Sequence, residues 1–342
     1  MEILKEKVLI IQTAFLGDAI LTLPLIQKIK EINSNAFISV LCIPSTKEVF
    51  ANSESVNEVI VYDKRGTDSS IISYLKLVYK IRSGSFSTVI SPHRSVRSTL
   101  IAFLSASQRT VGFDTADFSF LYKKLIQYQK SKHEVERNLS LLEIDFSEND
   151  WRVFPQLQIP KETKSRTEVM LKIANDKKII AIAPGSVWKT KVYPAKYYIE
   201  IIRMIIAENY FVVLIGGRED SELCGDINKN FSSNVESFAG KLNVLESLSL
   251  LTNCKAVVCN DSAPTHLAMA AGIPALTIYC STIPGFGFYP YNENSKFVSC
   301  DDLPCKPCGI HGHQECPVKT FDCAHKLKPE FVFEKLKQIL SA

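Results

Sequence analysis

Apolar residues occur along the chain in short continuous runs, separated by segments with helical spacing. Residues 8–11 form the first run, and from Asp18 onward the apolar positions follow the period of a helix. Such runs predict strands that are buried on both faces of a parallel sheet. Further strands are predicted at 37–42, 58–63 and 87–92. Because strands and helices alternate, we predict an α/β domain over residues 1–160.

The same rhythm resumes after residues 155–169, a polar segment with two prolines that we interpret as a connector leading into a helix. Strands are predicted at 178–184, 210–217, 255–260 and 274–279, with helices between them. A second α/β domain should therefore cover residues 161–327, and an amphipathic helix at 328–342 should pack back on the domains. We expect the carboxyl ends of both parallel sheets to face a central cleft, where ligands of such sheets bind.

Composition narrows the possible functions. Of the 342 residues, 46% are hydrophobic and 22% are charged, which is typical of a folded globular protein. The net charge of +4 does not favour nucleic acid as a partner. The first apolar stretch follows Lys5 and Lys7 as in an export signal, but no small-residue cleavage site follows. An aspartate at the centre of a membrane span costs about 2.5–3.5 kcal/mol, so we predict a cytoplasmic protein.

The ten cysteines are unevenly distributed. Four lie singly in apolar runs, as reduced thiols do: Cys42, Cys224, Cys254 and Cys259. Near the C-terminus the spacing is Cys305-x2-Cys308-x7-Cys316-x6-Cys323. This spacing is compatible with a structural zinc site, with four clustered thiols or with a disulfide formed on oxidation.

Two loops that follow predicted strands carry candidate anion-binding groups. In "NDSAPTHLAMAAG", Asp261 and Ser262 precede a helix that Pro264 should begin and Gly272 should end. The free N–H groups of such a helix suit a diphosphate, although Asp261 is equally well explained as a cap. His266, in the first turn, is equally well explained by a structural hydrogen bond.

The second loop, "APGSVWKTKVYP", places Gly185 and Ser186 in a turn ahead of Lys189 and Lys191. The lysines either bind the same diphosphate or are solvated. No GxGxxG or Walker sequence is present, which disfavours a dehydrogenase and a P-loop kinase.

Asp18 follows Gly17 at or near the start of the first helix. Its residue type and position favour a helix cap, and a helix N-terminus should keep the pKa of this carboxyl low. In "SPHRSVRS", His93, Arg94 and Arg97 lie near a strand end, with Arg109 further along. These four residues either bind an anionic ligand or form a solvated face.

Six motifs occur in order and together resemble the ADP-heptose:lipopolysaccharide heptosyltransferase family, most of all its heptosyltransferase II branch. They are "FLGDAILTLPLI", "SPHRSVRSTLIAFLSASQRTVGF", "HEVERNLSLL", "APGSVWKTKVYP", "NDSAPTHLAMAAGIPALTIY" and "CKPCGIHGHQECP". The resemblance implies a GT-B fold with two Rossmann-like domains. It also implies inverting, metal-independent transfer of heptose from ADP-heptose to the inner core of lipopolysaccharide, with no cofactor required for catalysis.

The resemblance also implies roles for individual residues. Asp18 takes the position of the general base and Lys191 that of the phosphate-binding lysine. The implied donor-binding residues are Ser186, Lys191, Glu222, Asp261, Ser262, Ala263 and His266, with Glu222 preferred over Glu219 or Asp220 for the ribose. The implied acceptor-binding residues are His93, Arg94 and Arg97. Two departures are Val192-Tyr193 where the family more often has Arg-Trp, and Cys280 where it has glycine.

The implied partners are ADP-heptose and a lipopolysaccharide inner core carrying Kdo and lipid A, with peripheral contact at the cytoplasmic face of the inner membrane. Two alternatives stay open. The first is heptosyltransferase I or a related GT-B enzyme with another donor or acceptor. The second is a protein that binds nucleotide sugars without catalysis.

Overall fold

The computed structural model describes residues 7–144, 146 and 150–341. The chain forms two compact units, Met1–Gln158 and Ile159–Ala342. Each unit contains a six-stranded parallel sheet, with α-helices between most of the successive strands. Each unit thus has the Rossmann-like arrangement of strands and helices that we expected.

The first sheet has the order β3-β2-β1-β4-β5-β6. Its strands are β1 (Lys7–Ile11), β2 (Phe37–Cys42), β3 (Glu58–Val61), β4 (Thr88–Ser91), β5 (Arg109–Phe113) and β6 (Lys124–Ile126). The helices of this unit are α1 (Leu16–Ile32), α2 (Lys47–Ala51), α3 (Ile71–Ser83), α4 (Val96–Leu104) and α5 (Glu134–Ser140). The strand order reverses between β1 and β4, and ligands of such sheets bind at the carboxyl ends on either side of a reversal.

The second sheet has the order β12-β11-β10-β7-β8-β9, so its reversal lies between β7 and β10. Its strands are β7 (Ile179–Ala183), β8 (Phe211–Leu214), β9 (Val235–Ser237), β10 (Cys254–Asn260), β11 (Ala275–Tyr279) and β12 (Lys296–Ser299). The helices are α6 (Lys161–Leu171), α7 (Ala195–Ala207), α8 (Ser221–Asn228), α9 (Val244–Leu251), α10 (Ala263–Ala271), α11 (Asp322–His325) and α12 (Pro329–Leu340). Helix α12 packs against α7 and β12 of the same unit.

The apolar runs form the cores of the two units. Every residue of β7 is buried, as are residues 8–11 of β1, which is why the central strands follow continuous apolar runs. The structure departs from our predictions at the sheet edges and in the connector. Strands β6, β9 and β12 are short and partly polar, and the pattern did not predict them. It also missed the inner strand β5, although four of its five residues are buried. Helix α6 begins at Lys161, inside the predicted connector, because Pro160 precedes a run of good helix formers.

The first apolar stretch divides into β1 and α1, with Pro24 buried inside the helix. Within the described part of the chain, no helix is both long and apolar enough to cross a membrane.

Candidate active site

In the first unit, polar residues from the two strands at the reversal meet directly. Thr13 follows β1 and His93 follows β4, and the hydroxyl of Thr13 lies 3.0 Å from Nδ1 of His93. The hydroxyl of Ser98 lies 2.8 Å from the same nitrogen. Burial, then the charges of Lys64 and Arg94, lower the pKa of His93 to about 4. His93 is therefore neutral at pH 7 and contributes hydrogen bonds rather than the positive charge that we expected.

Lys64 joins this group, although none of the motifs that we selected contains it. Its ammonium donates to the carbonyl oxygen of Thr13 at 2.7 Å, and Nη1 of Arg97 donates to the Lys64 carbonyl at 3.2 Å. Burial, followed by the charges of Arg65 and Arg97, lowers the pKa of Lys64. An anion bound here would relieve this crowding of positive charges.

Arg94 and Arg109 differ in their surroundings. The guanidinium of Arg94 lies 4.1 Å from the ring centre of Tyr128, and its Nη1 donates to the hydroxyl of Thr115 at 3.3 Å. Arg109 is the first residue of β5 and pairs with Glu143. That position is at the amino end of the strand, so Arg109 does not join the residues at the carboxyl ends.

Asp18 lies in the first turn of α1, and the N-cap residue is Phe15. Backbone N–H groups of Phe15 and of Asp18 itself hydrogen-bond to the carboxylate. Asp18 therefore contributes to the start of the helix from its third position, as an acidic residue does in a capping box. Asp18 contributes to the N-terminus of α1 as we expected, but the N-cap residue itself is Phe15.

The pKa of Asp18 is raised to about 7, chiefly by burial and next by the charge of Glu134. The backbone hydrogen bonds and Arg94 lower it, but by less. Our expectation of a low pKa is wrong because the helix N-terminus is outweighed by burial and by a second carboxylate. A carboxyl with a pKa near 7 is well matched to accept a proton at neutral pH.

Glu134, the first residue of α5, is held by one partner in that helix and one in the loop before it. Its Oε2 accepts hydrogen bonds from Nε of Arg137 at 2.7 Å and from the hydroxyl of Tyr128 at 3.3 Å. Helix α5 packs on α1, where Nδ2 of Asn138 donates to the carbonyl of Leu21 at 3.0 Å. Sequence reasoning missed Glu134, although the "HEVERN" motif contains this Glu–Arg pair at a helical spacing.

In the second unit, the two loops that we selected meet through an ion pair. The ammonium of Lys191 lies 2.7 Å from Oδ2 of Asp261, and the hydroxyl of Thr282 donates to the same oxygen at 2.7 Å. Both charged side chains are largely buried. Asp261 thus orients Lys191 and does not cap α10, whose N-cap residue is Ser262.

Helix α10 begins and ends as predicted, with Pro264 in its first turn and Gly272 at its end in the left-handed conformation, at a φ of 69°. The side chain of Ser262 makes no capping hydrogen bond. The first N–H groups, including that of Ala263, therefore lack a side-chain acceptor from their N-cap residue and suit an anion.

His266 is buried in α10, and burial lowers its pKa to about 4. Its Nδ1 has no hydrogen-bond partner among the described residues. The structural hydrogen bond that we considered for this residue is therefore not formed at Nδ1.

Ser186 and Asn260 shape the loop after β7. The N–H of Trp188 donates to the hydroxyl of Ser186 at 3.5 Å. Nδ2 of Asn260 donates to the carbonyl of Pro184 at 2.7 Å, which fastens this loop to the end of β10. Asn260 precedes the motif residues that we selected and was missed. Lys189, in the same loop as Lys191, is exposed.

The acidic candidates for the ribose contact are placed differently from one another. A Cβ at Gly185 would lie 1.9 Å from Oδ1 of Asp220, so only glycine allows this carboxylate to approach the loop after β7. Burial raises the pKa of Asp220. Glu222 is exposed in the first turn of α8. Asp220 is therefore the acidic side chain that lies against the Gly185 loop, and Glu222 stays a prediction.

The cysteine-rich segment packs on the Lys191 loop. The N–H of His313 donates to the hydroxyl of Thr190 at 2.8 Å, and the rings of Trp188 and His311 are stacked. All ten cysteines are free thiols, and the four in apolar runs are buried, as we expected. Across residues 7–144, 146 and 150–341, no three His, Cys, Asp or Glu side chains are grouped to hold a metal ion. The structure therefore gives no support to a zinc site formed by Cys305, Cys308, Cys316 and Cys323.

Known proteins resemble this chain in sequence and in fold. Residues 74–319 match Glycosyltransferase family 9 (heptosyltransferase). The chain is 27% identical to lipooligosaccharide heptosyltransferase 2 of Campylobacter jejuni, over 97% of this chain and 99% of that protein. It is 23% identical to lipopolysaccharide heptosyltransferase 2 of Escherichia coli, over 82% and 84%. The structure of E. coli ADP-heptose lipopolysaccharide heptosyltransferase II superposes with a TM-score of 0.81 at 22% identity, covering 98% of both chains.

Proposed function

The chain belongs to glycosyltransferase family 9, the heptosyltransferase family, and we propose that it transfers L-glycero-D-manno-heptose from ADP-heptose to the lipopolysaccharide inner core, as a heptosyltransferase II that adds the second heptose. The full-length similarity to two heptosyltransferases 2 supports this choice. The observation that carries the proposal is the position of Asp18 in the first turn of α1, directly after β1 at the strand reversal of the first unit. Burial there raises the pKa of its carboxyl to about 7.

The donor half of the reaction is assigned to the second unit. Cleavage of the bond between the anomeric carbon and the diphosphate leaves negative charge on ADP. The ammonium of Lys191 and the free N–H groups at the start of α10 stabilise that charge. The same two motifs contain the other proposed donor-binding residues, which are Ser186, Ser262, Ala263 and His266. Glu222 is proposed for the ribose, with Asp220 as the alternative that lies against Gly185.

The acceptor half is assigned to the first unit. An acceptor hydroxyl within hydrogen-bond distance of Asp18 attacks the anomeric carbon from the side opposite the leaving group, which inverts the configuration. The hydroxyl proton passes to the Asp18 carboxylate, and ADP leaves with the electrons of the broken bond. A base with a pKa near 7 remains ionised in a substantial fraction of molecules at neutral pH.

The cations of the first unit are assigned to the acceptor. Lys64 and Arg94 lie close to the neutral His93, and Arg97 contacts Lys64. Kdo carboxylates and phosphates of the core match this positive charge. Such an acceptor is anchored by lipid A, so we place the enzyme in the cytoplasm with peripheral contact at the inner face of the inner membrane. Nucleic acid is not a proposed partner.

Catalysis in this proposal requires no cofactor, because protein cations and helix N–H groups supply the positive charge at the diphosphate. Full activity after treatment with EDTA is expected, and elemental analysis of the same sample tests for structural zinc at the four C-terminal cysteines. If EDTA abolished turnover and added Mg²⁺ restored it, metal-independent transfer would be contradicted.

The proposal is tested by donor and acceptor preference. Calorimetry should show tighter binding of ADP than of UDP or GDP, and a preference for UDP would favour a related GT-B enzyme with another donor. Mass spectrometry should show one added heptose on a core that already carries the first. Addition only to a core that lacks heptose would indicate heptosyltransferase I.

A further inference from the structure

Helix α3 has two apolar faces, and the fold uses one of them. Leu77 and Ile81 point into the core of the first unit, where they are buried with Phe86. Four large apolar side chains on the same helix are exposed instead: Ile71 (79%), Ile72 (67%), Leu75 (57%) and Tyr79 (75%). With about 100° of rotation per residue, the four fall on one continuous stripe. We refer to these four residues as the exposed stripe of α3.

The charges around the exposed stripe are positive. Helix α3 contains no acidic residue, while Lys76, Lys80 and Arg82 are exposed on it. A helix that combines an apolar stripe with basic flanks suits the boundary between the head groups and the acyl chains of an anionic bilayer.

The two acidic residues that precede α3 are engaged in their own turn. Carboxylate oxygens of Asp63 accept hydrogen bonds from the N–H groups of Gly66 at 2.9 Å and Thr67 at 3.0 Å. Oδ2 of Asp68 accepts from the N–H of Asp63 at 3.0 Å. These carboxylates therefore stabilise the loop before α3, and exposed Arg65 adds a further positive charge beside it.

The loop before α3 also leads directly from the candidate acceptor residues. Lys64 donates to the carbonyl of Thr13, and Arg97 donates to the carbonyl of Lys64. Seven positions after Lys64, the exposed stripe begins at Ile71. A surface that holds α3 would therefore also hold the acceptor-binding end of this unit close to it.

From these observations we infer that the exposed stripe of α3 docks on an anionic phospholipid bilayer. The four apolar side chains enter the acyl boundary, while Lys76, Lys80 and Arg82 contact lipid phosphates. A second copy of the chain fits less well, because two copies of this surface would bring like charges together. The role of this docking in catalysis rests on the proposed function, because the lipid-anchored acceptor of that function would lie in the same membrane.

Vesicle sedimentation tests the inference. Vesicles of phosphatidylethanolamine with phosphatidylglycerol should bind the full chain, whereas phosphatidylcholine vesicles should bind it weakly. Removing one lysine charge, as in Lys80→Ala, should weaken binding about fivefold, and raising the salt concentration should weaken it further. The double variant Ile72→Glu/Leu75→Glu should lose binding. Val169→Glu is the matched control, because Val169 is 62% exposed on α6 of the other unit.

Two results would overturn the inference: equal vesicle binding by the double variant and the wild type, or no vesicle binding by the wild type. Sedimentation velocity tests the alternative occupant, a second copy of the chain. A dimer that forms with the wild type but not with the double variant would assign the exposed stripe to a second copy and overturn the inference. Thermal unfolding confirms that the variants are folded.

A delipidated, water-soluble core acceptor separates this inference from the proposed function. The double variant should transfer heptose to that acceptor at the wild-type rate. If the wild type binds vesicles but transfers no heptose, the proposed function fails and the docking surface stands. If it transfers heptose but does not bind vesicles, the docking surface fails and the function stands.

Discussion

Lys191 and Asp261, which lie 70 positions apart in the chain, form an ion pair of 2.7 Å at the strand reversal of the second unit. The hydroxyl of Thr282 donates to the same carboxylate oxygen. This hydrogen bond holds the Asp261 carboxylate in place, and the carboxylate in turn orients the ammonium of Lys191. The pair places an ammonium beside the N-terminus of α10. It therefore joins the two loops to which we assign the diphosphate.

Lys191→Ala should lower kcat by about 10²- to 10³-fold, the usual effect of removing one group that stabilises a developing anion. It should also lower the free energy of unfolding by about 3 kcal/mol, because Asp261 would be left largely buried without its cation. Steady-state kinetics and denaturant unfolding measure the two effects.

Two further variants separate these effects. The double variant Lys191→Met/Asp261→Asn should recover stability but not activity, since it removes both charges. Lys189→Ala is the matched control, because Lys189 is exposed in the same loop and should change neither quantity. Equal losses in the two single lysine variants would argue that Lys191 acts only as part of a general positive surface.

Glu134→Gln should move the pH dependence of kcat. Asp18 must be ionised to accept a proton, so kcat of the wild type should rise with pH through about 7 and then level off. Removing the Glu134 charge should shift that midpoint to lower pH. Burial, the larger cause, should keep it above the ordinary value of 3.8. An unchanged midpoint in a folded Glu134→Gln enzyme would show that Glu134 does not act on the base.

Asp18→Asn should change how stability depends on pH. The unfolded chain releases the Asp18 proton near pH 3.8, whereas the folded chain retains it up to about 7. Between these values the folded state binds more protons, so this residue makes the wild type less stable as pH rises.

The variant lacks that contribution, so its free energy of unfolding relative to wild type should increase between pH 4 and pH 8. Urea unfolding at several pH values measures the difference. A relative stability that falls with pH would mean that the folded pKa is not raised.

The sequence predicted the central strands because burial on both faces leaves a continuous apolar run, as in β1 and β7. It did not predict the edge strands β6, β9 and β12, where one side of the strand has no neighbour and polar residues are tolerated, and it also missed the inner strand β5. It also placed His93 and Asp261 at strand ends, which is where parallel sheets bind ligands. The family resemblance, rather than the pattern, suggested Asp18 as a base.

The electrostatic properties of the site could not be predicted from the pattern. The pKa of Asp18 depends on burial and on Glu134, a residue of α5 more than 100 positions away. The neutrality of His93 likewise depends on burial and on Lys64 in another loop. Local sequence gives the helix N-terminus, which lowers the pKa of a carboxyl. Only the folded arrangement shows that the opposing effects are larger.

The central claim is that Asp18 is the general base of a heptosyltransferase, and a single-turnover transfer assay tests it most directly. Enzyme in excess over ADP-heptose is mixed with a core acceptor that carries the first heptose, and product is followed by mass spectrometry for wild type and Asp18→Asn. We predict heptose transfer by the wild type and a rate at least about 10²-fold lower in the variant, with the same affinity for ADP by calorimetry. Transfer by folded Asp18→Asn at the wild-type rate would contradict the account.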